Sequence, residues 1–157
     1  MLRCRINGTN GSALKPTYYH IFGAYTKTPR PFARVQTDGS FYPRNKLSRV
    51  AMILFPTGKS IPFKNMKQIM DVRDSTETEW ASVSHGLLFA LEHDETIINI
   101  ENDNLSVVSG LIMPHNHLKH DYARYYRNTI LQNARHTEWT GIRWIPRGMN
   151  IADSLFH

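Results

Sequence analysis

Apolar and polar positions follow two periods along this chain. Ala33-Arg34-Val35-Gln36-Thr37-Asp38 alternates residue by residue, which predicts a strand ending on a polar side chain. Arg49 to Phe55 is mostly apolar and runs into the turn Pro56-Thr57-Gly58-Lys59, so it reads as a second strand. Ser60 to Lys64 reads as a third strand, antiparallel and at a sheet edge, because Pro62 has no N–H to give a neighbour. After the N-cap candidates Asp74-Ser75-Thr76 the period changes. Trp80, Val83, Leu87, Ala90 and Leu91 fall on one face of a helix. Thr96 to Ile100 is a short apolar run bounded by charge, the pattern of a buried strand entering a sheet in parallel. Residues 103–113 predict a short helix with Leu105, Val108, Leu111 and Ile112 inward. Residues 120–135 predict a longer one with Tyr122, Tyr126, Ile130 and Leu131 inward. Ile142 to Ile145 is the last strand, and residues 149–156 form a closing helical turn or two.

The order is β-β-β-α-β-α-α-β-α. A meander followed by two βα units predicts an α/β fold: a five-stranded mixed sheet, three antiparallel strands then two parallel ones, with helices on both faces. Residues 1–31 hold Gly8, Gly11, Pro16, Pro29 and Pro31 and no sustained period. Apart from a possible short strand at Tyr18–Phe22, they read as an extended or flexible arm before a domain spanning 32–157.

Composition narrows the class. At 157 residues, 41% hydrophobic and 20% charged, the chain can bury a core and is not of disordered type. The longest apolar run, Val50 to Phe55, is far too short to cross a bilayer. No apolar stretch follows the basic start, so neither a membrane partner nor a secretory signal is expected. The single cysteine, Cys4, cannot form an internal disulfide, which fits a reducing compartment. A net charge of +6 makes a polyanionic partner worth considering.

The acids add the chemistry. Asp38 ends the first strand, Glu79 lies in the first turns of the first long helix, Asp103 follows the fourth strand, and Asp153 lies after the fifth. Strand ends and helix starts meet at one edge of an open α/β sheet, so four acids distant in sequence can converge there. Converging carboxylates repel unless one holds a proton or a cation sits among them. Oxygen-only ligands suit Mg2+ or Mn2+, and paired ions of this type serve in-line displacement at phosphorus.

Four stretches resemble one family. Thr37-Asp38-Gly39-Ser40, Ser75-Thr76-Glu77-Thr78-Glu79-Trp80, Ile100-Glu101-Asn102-Asp103-Asn104 and Pro146-Arg147-Gly148-Met149-Asn150-Ile151-Ala152-Asp153-Ser154-Leu155 resemble, in order, the motifs of type 1 ribonucleases H. The second and fourth have the flavour of Copia-type retroelements and of a Pro-Arg subgroup. The resemblance covers roughly 33–157 and implies the ribonuclease H-like fold. It also implies an endonuclease that cuts the RNA strand of RNA–DNA hybrids and leaves a 5′-phosphate and a 3′-hydroxyl. Asp38, Glu79, Asp103 and Asp153 would be both catalytic residues and ligands of two Mg2+ ions, with Mn2+ a substitute. Asp38 would bridge the ions, Glu79 and Asp103 would hold the one on the leaving-group side, and Asp153 the one that activates water.

Substrate contacts are expected from Gly39, Ser40, Ser75, Thr76 and Asn104, which flank the acids and suit the hydroxyl-lined minor groove of a hybrid. Arg44, Asn45, Lys46, Arg49, Lys119, Arg124 and Arg127 are phosphate candidates, each weighed against a plain solvated face, and Arg147 is a further one. Three departures from the family stand out: the bulky Phe41 to Lys46 replaces a glycine-rich turn, no histidine occurs between Ile145 and Asn150, and the Asn150-to-Asp153 spacing is one residue short of many members. His115, His117 and His120 are read as surface polar residues rather than a zinc site. Trp80 is read as core. The chain is expected to act as a monomer or within a larger replication or reverse-transcription assembly, in cytoplasm, nucleus or a viral replication compartment. The rival readings are a non-catalytic module of the same fold that binds nucleic acid or protein, and an integrase-like nuclease acting on DNA.

Overall fold

The computed structural model describes residues 17–114 and 117–157. Their elements are β1 (Tyr19–Gly23), β2 (Ala33–Tyr42), β3 (Leu47–Phe55), β4 (Phe63–Ile69), α1 (Ser75–Glu92), β5 (Ile97–Asn102), α2 (Leu105–Ile112), α3 (Asp121–Ala134) and β6 (Trp139–Trp144). Two 3-10 segments, Arg147–Met149 and Ile151–Phe156, close the chain. The sheet order is β1-β6-β5-β2-β3-β4; β2, β5 and β6 run parallel and the remaining pairs antiparallel.

This is the expected α/β fold with one more strand than the five foreseen. Residues 19–23 pair with β6 as a sixth strand, so this part of the expected 1–31 arm belongs to the sheet. Its alternation is faint because four of its five residues are only half-buried. Residues 1–16, where the rest of that arm falls, lie outside the described residues.

Alternation sets the two faces. Val35, Val50, Met52, Leu54, Ile98, Ile100 and Ile142 point to one side and meet Val83, Leu87 and Ala90 of α1, Val108 and Leu111 of α2, and Ile130 of α3. On the other side, Ala51 and Ile53 of β3 pack on Ala152, Leu155 and Phe156 of the C-terminal 3-10 helix. Helices thus cover both faces, unequally. The thinly covered face also carries Arg34, Gln36, Asp38 and Glu101, the polar positions of the same alternation.

Smaller differences have local causes. The third strand of the meander begins at Phe63, not Ser60: Ser60 to Pro62 form the approach, and pairing starts only once Pro62 has passed. It is the edge strand expected. Leu105 is half-exposed at the start of α2, and Tyr125 points to solvent on α3. Among the described residues no helix is long and apolar enough to cross a membrane.

Candidate active site

Asp38 does not end its strand as expected, because pairing with β3 carries β2 on to Tyr42; three chain segments meet at Asp38, where the pairing of β2 with β5 stops, and each is held by its own side chains. Helix α1 starts at Asp74, whose Oδ1 accepts from Glu77 N at 2.8 Å, while Thr78 Oγ1 donates to Asp74 O. Its first turn then presses on β2. A Cβ on Gly39 would lie 2.9 Å from the carbonyl carbon and oxygen of Thr78, so only glycine allows this approach. The outcome is a 2.6 Å hydrogen bond from Gly39 N to Glu79 Oε1. The glycine after Asp38 therefore seats the acid of a helix forty residues away.

Asn102 fixes the second segment. Its Nδ2 donates to Thr37 O and Thr37 Oγ1, and its Oδ1 accepts from Asn104 N. The end of β5 is thereby tied to the end of β2, and Trp144 Nε1 holds the Asp103 carbonyl at 2.9 Å. Asn150 fixes the third. Its Nδ2 donates to the same Thr37 carbonyl at 2.8 Å, and its Oδ1 caps the 3-10 helix through Ala152 N. Thr37, the residue before Asp38, is the shared anchor of both asparagines.

One carboxylate oxygen each from Asp38, Glu79 and Asp103 lies within 4.8 Å of the other two. Asp38 and Glu79 are buried and Asp103 partly so. Asp153 lies outside that trio: it is more exposed, its charge acts on Asp38 and Asp103, and its carboxylate is 3.5 Å from His157 Nε2. Three of the four expected acids therefore cluster, and Asp153 stands at the edge of that trio.

Their electrostatics are those of crowded anions. Burial, then the charge of Asp103 and the contact with Asp153, pushes Asp38 up to about 7. Burial, then the charges of Asp38 and Asp103, pushes Glu79 up to about 9. Asp103 is also raised by burial, although the Arg147 charge and a hydrogen bond from Asn150 pull it back. Asp103 Oδ2 is buried and has no hydrogen-bond partner. An orphaned oxygen among crowded carboxyl groups whose pKa values are pushed up marks a donor set short of positive charge. All-oxygen donors of this kind fit a hard divalent cation.

The expected substrate residues divide. Gly39 and Ser40 continue β2 beside Asp38; Ser75 and Thr76 open α1; Asn104 caps α2 through Val107 N. Arg44 and Asn45 are exposed at the β2–β3 turn, where Asn45 Oδ1 is used by Leu47 N. Arg147 is exposed on the first 3-10 segment, and its charge reaches Asp103. Arg124 and Arg127 instead bind the carbonyls of Leu118 and Met113, tying α3 to its preceding loop. Trp80 is buried over Gly110 in the core. His117 and His120 are exposed and belong to no metal-like cluster among the described residues; His115 lies outside them.

Sequence reading passed over three residues that shape this site. Asn102 and Asn150 stood inside recognised motifs without a role, and Gln36 looked like an ordinary outward strand position. A polar residue one, two or three places before an acid was the available signal.

The family model described as reverse transcriptase-like matches residues 36–155. The chain belongs to that family, and its fold is ribonuclease H-like. Among solved structures it resembles RNase H1 from the halophilic archaeon Halobacterium salinarum NRC-1, at 17% identity and a TM-score of 0.68, over 78% of this chain and 92% of that one. The N-terminal RNase H domain of rv2228c from Mycobacterium tuberculosis, solved as a fusion with maltose binding protein, is similar at 17% identity and a TM-score of 0.69, over 78% and 88%. LC11-RNase H1 in complex with an RNA/DNA hybrid is similar at 14% and 0.65, over 78% and 92%. Comparison with curated protein sequences returned no match.

Proposed function

We propose that this chain is a metal-dependent endoribonuclease that cuts the RNA strand of RNA–DNA hybrids, leaving a 5′-phosphate and a 3′-hydroxyl. The observation that carries the reading is the cluster of Asp38, Glu79 and Asp103 within 4.8 Å, with an orphaned Oδ2 on Asp103. The hybrid held by LC11-RNase H1 supports the choice of substrate.

The charges of Asp103 and Asp153 both act on Asp38, which would contribute a ligand to each of two Mg2+ ions. Glu79 and Asp103 would hold the ion on the leaving-group side, and Asp153 the one on the water side. When bound, such a pair supplies an activated water and charge stabilisation at the leaving oxygen. The chain does the rest. Gly39 N holds Glu79 in place, and Asn102 and Asn150 hold Asp103 and Asp153 against β2. Gly39, Ser40, Ser75, Thr76 and the free amide end of Asn104 meet the hybrid minor groove, where 2′-hydroxyls distinguish RNA. The exposed Arg44 and Arg147 would meet phosphate.

The test is cleavage of an end-labelled hybrid with Mg2+, with chelator, and by Asp103→Asn. We expect cutting of the RNA strand that chelator abolishes and the variant loses by roughly a hundred-fold or more. Retained hybrid binding with intact RNA would sink the reading and favour a binding module; faster cutting of duplex DNA would favour the integrase-like alternative.

A further inference from the structure

Glu101 is fully buried on the face of β5 opposite α1. Its strand partners, Gln36 on β2 and Arg143 on β6, make a polar row across three strands, two residues before Asp38 and Asp103. Tyr18 hydroxyl donates to Glu101 Oε2 at 2.6 Å and Arg143 Nε at 2.9 Å; Arg34 donates to Oε1 at 2.9 Å and Gln36 Nε2 at 3.0 Å. Replacing such a buried ionic group with apolar side chains is often neutral or stabilising, so stability alone does not account for it.

Gln36 shows what the row achieves. Glu101 is acceptor-only, so it obliges the Gln36 amide to present its NH2. The amide oxygen then faces the opposite way and accepts from Ile151 N at 2.9 Å. Ile151 is the first residue of the 3-10 helix that carries Asp153. Its N–H is one of the donors that a helix start leaves unpaired. A flipped amide would turn two donors on each other there.

We propose that Gln36, with its amide oriented by Glu101, is a positioning residue that sets where the last helix begins and hence where Asp153 stands against Asp38. The assignment of Asp153 to the metal site rests on the functional reading above; the positioning itself does not. It also gives the shortened Asn150-to-Asp153 spacing a physical partner. With one residue fewer in that turn, Ile151 N is held from β2 by Gln36 beside the Asn150 tie to Thr37.

Two variants cut the link from opposite ends. Gln36→Leu removes the acceptor. Ile151→Pro removes the donor at a half-exposed position, and the preceding Asn150, at φ −90° and ψ 96°, already has the extended backbone proline demands. The first measurement is amide hydrogen exchange by NMR on metal-free protein. We expect exchange at Ala152 and Asp153 to rise about ten-fold or more in either variant, with β2 and β5 unchanged. Unchanged protection of those two amides overturns the proposal, whatever the protein cuts.

The second measurement is hybrid cleavage against Mg2+ concentration, for Gln36→Leu, Asp153→Asn and the two combined. Gln36→Leu is expected to lower kcat about ten-fold and raise the half-saturating Mg2+, with KM for the hybrid little changed. Combined with Asp153→Asn it should add nothing. A merely structural residue would cost the same factor in both backgrounds, and that result refutes the proposal. If the intact protein cuts no hybrid, the functional reading falls and the exchange data decide the positioning alone.

Discussion

At the scale of single residues, the site depends on close approach more than on charge. Gly39 is the clearest case. A methyl group there meets the Thr78 backbone, which cannot swing aside as a flexible side chain would. Gly39→Ala is expected to destabilise the fold by roughly 1–3 kcal/mol, because α1 must back away from β2. It should also lower cleavage, since Glu79 moves with the helix. Gly148 offers the control: a Cβ there meets nothing within 4 Å, and Gly148→Ala should stay within about 0.5 kcal/mol of the parent. Urea titration of both variants checks the pair, and equal midpoints would contradict the packing argument.

At the scale of elements, the start of α1 matters most, because it aims Glu79. Asp74 Oδ1 takes the Glu77 N–H and Oδ2 takes the Tyr122 hydroxyl at 3.4 Å, so the cap also ties α1 to α3. Asp74→Ala should cost about 1–2 kcal/mol, seen as a lower urea midpoint with an unchanged slope; no loss would mean that water replaces the cap. The long elements were legible from the sequence because each has one buried face: the face of Trp80, Val83, Leu87 and Ala90, and the alternation of Ala33, Val35 and Thr37. The clustered acids Asp38, Glu79 and Asp103 were legible because each sits in a recognisable motif. What escaped was set by tertiary contact. The short strand near Tyr18–Phe22 was foreseen, but its place in the sheet was not, because β6 sets it by offering an edge. The asparagine ties to Thr37 join residues 65 and 113 positions apart, a pairing that no local period encodes.

At the scale of the whole molecule, two buried acidic centres a few residues apart respond to pH in opposite ways. Burial alone would raise Glu101, but the Tyr18 hydrogen bond, the Arg143 charge, the Gln36 amide and Arg34 together hold it below the usual carboxylate range. A depressed acid stabilises the fold above its unfolded pKa, and that contribution is lost as pH falls through the folded value, which lies below that of a free glutamate. Asp38 and Glu79 are raised, to about 7 and about 9. Here the folded state keeps protons the unfolded chain has released. The metal-free protein therefore loses stability as pH rises from about 4 through these values. A divalent cation that replaces those protons removes the loss, so its stabilising effect must grow with pH. Thermal melts at pH 5.5 and 8.5 should show Mg2+ raising Tm little at the lower pH and clearly at the higher. Asp38→Asn should flatten both the metal-free decline and the Mg2+ response. An equal Mg2+ effect at the two pH values would mean that the cation binds somewhere other than these carboxylates, and the cluster would then have to be read as a proton-sharing site.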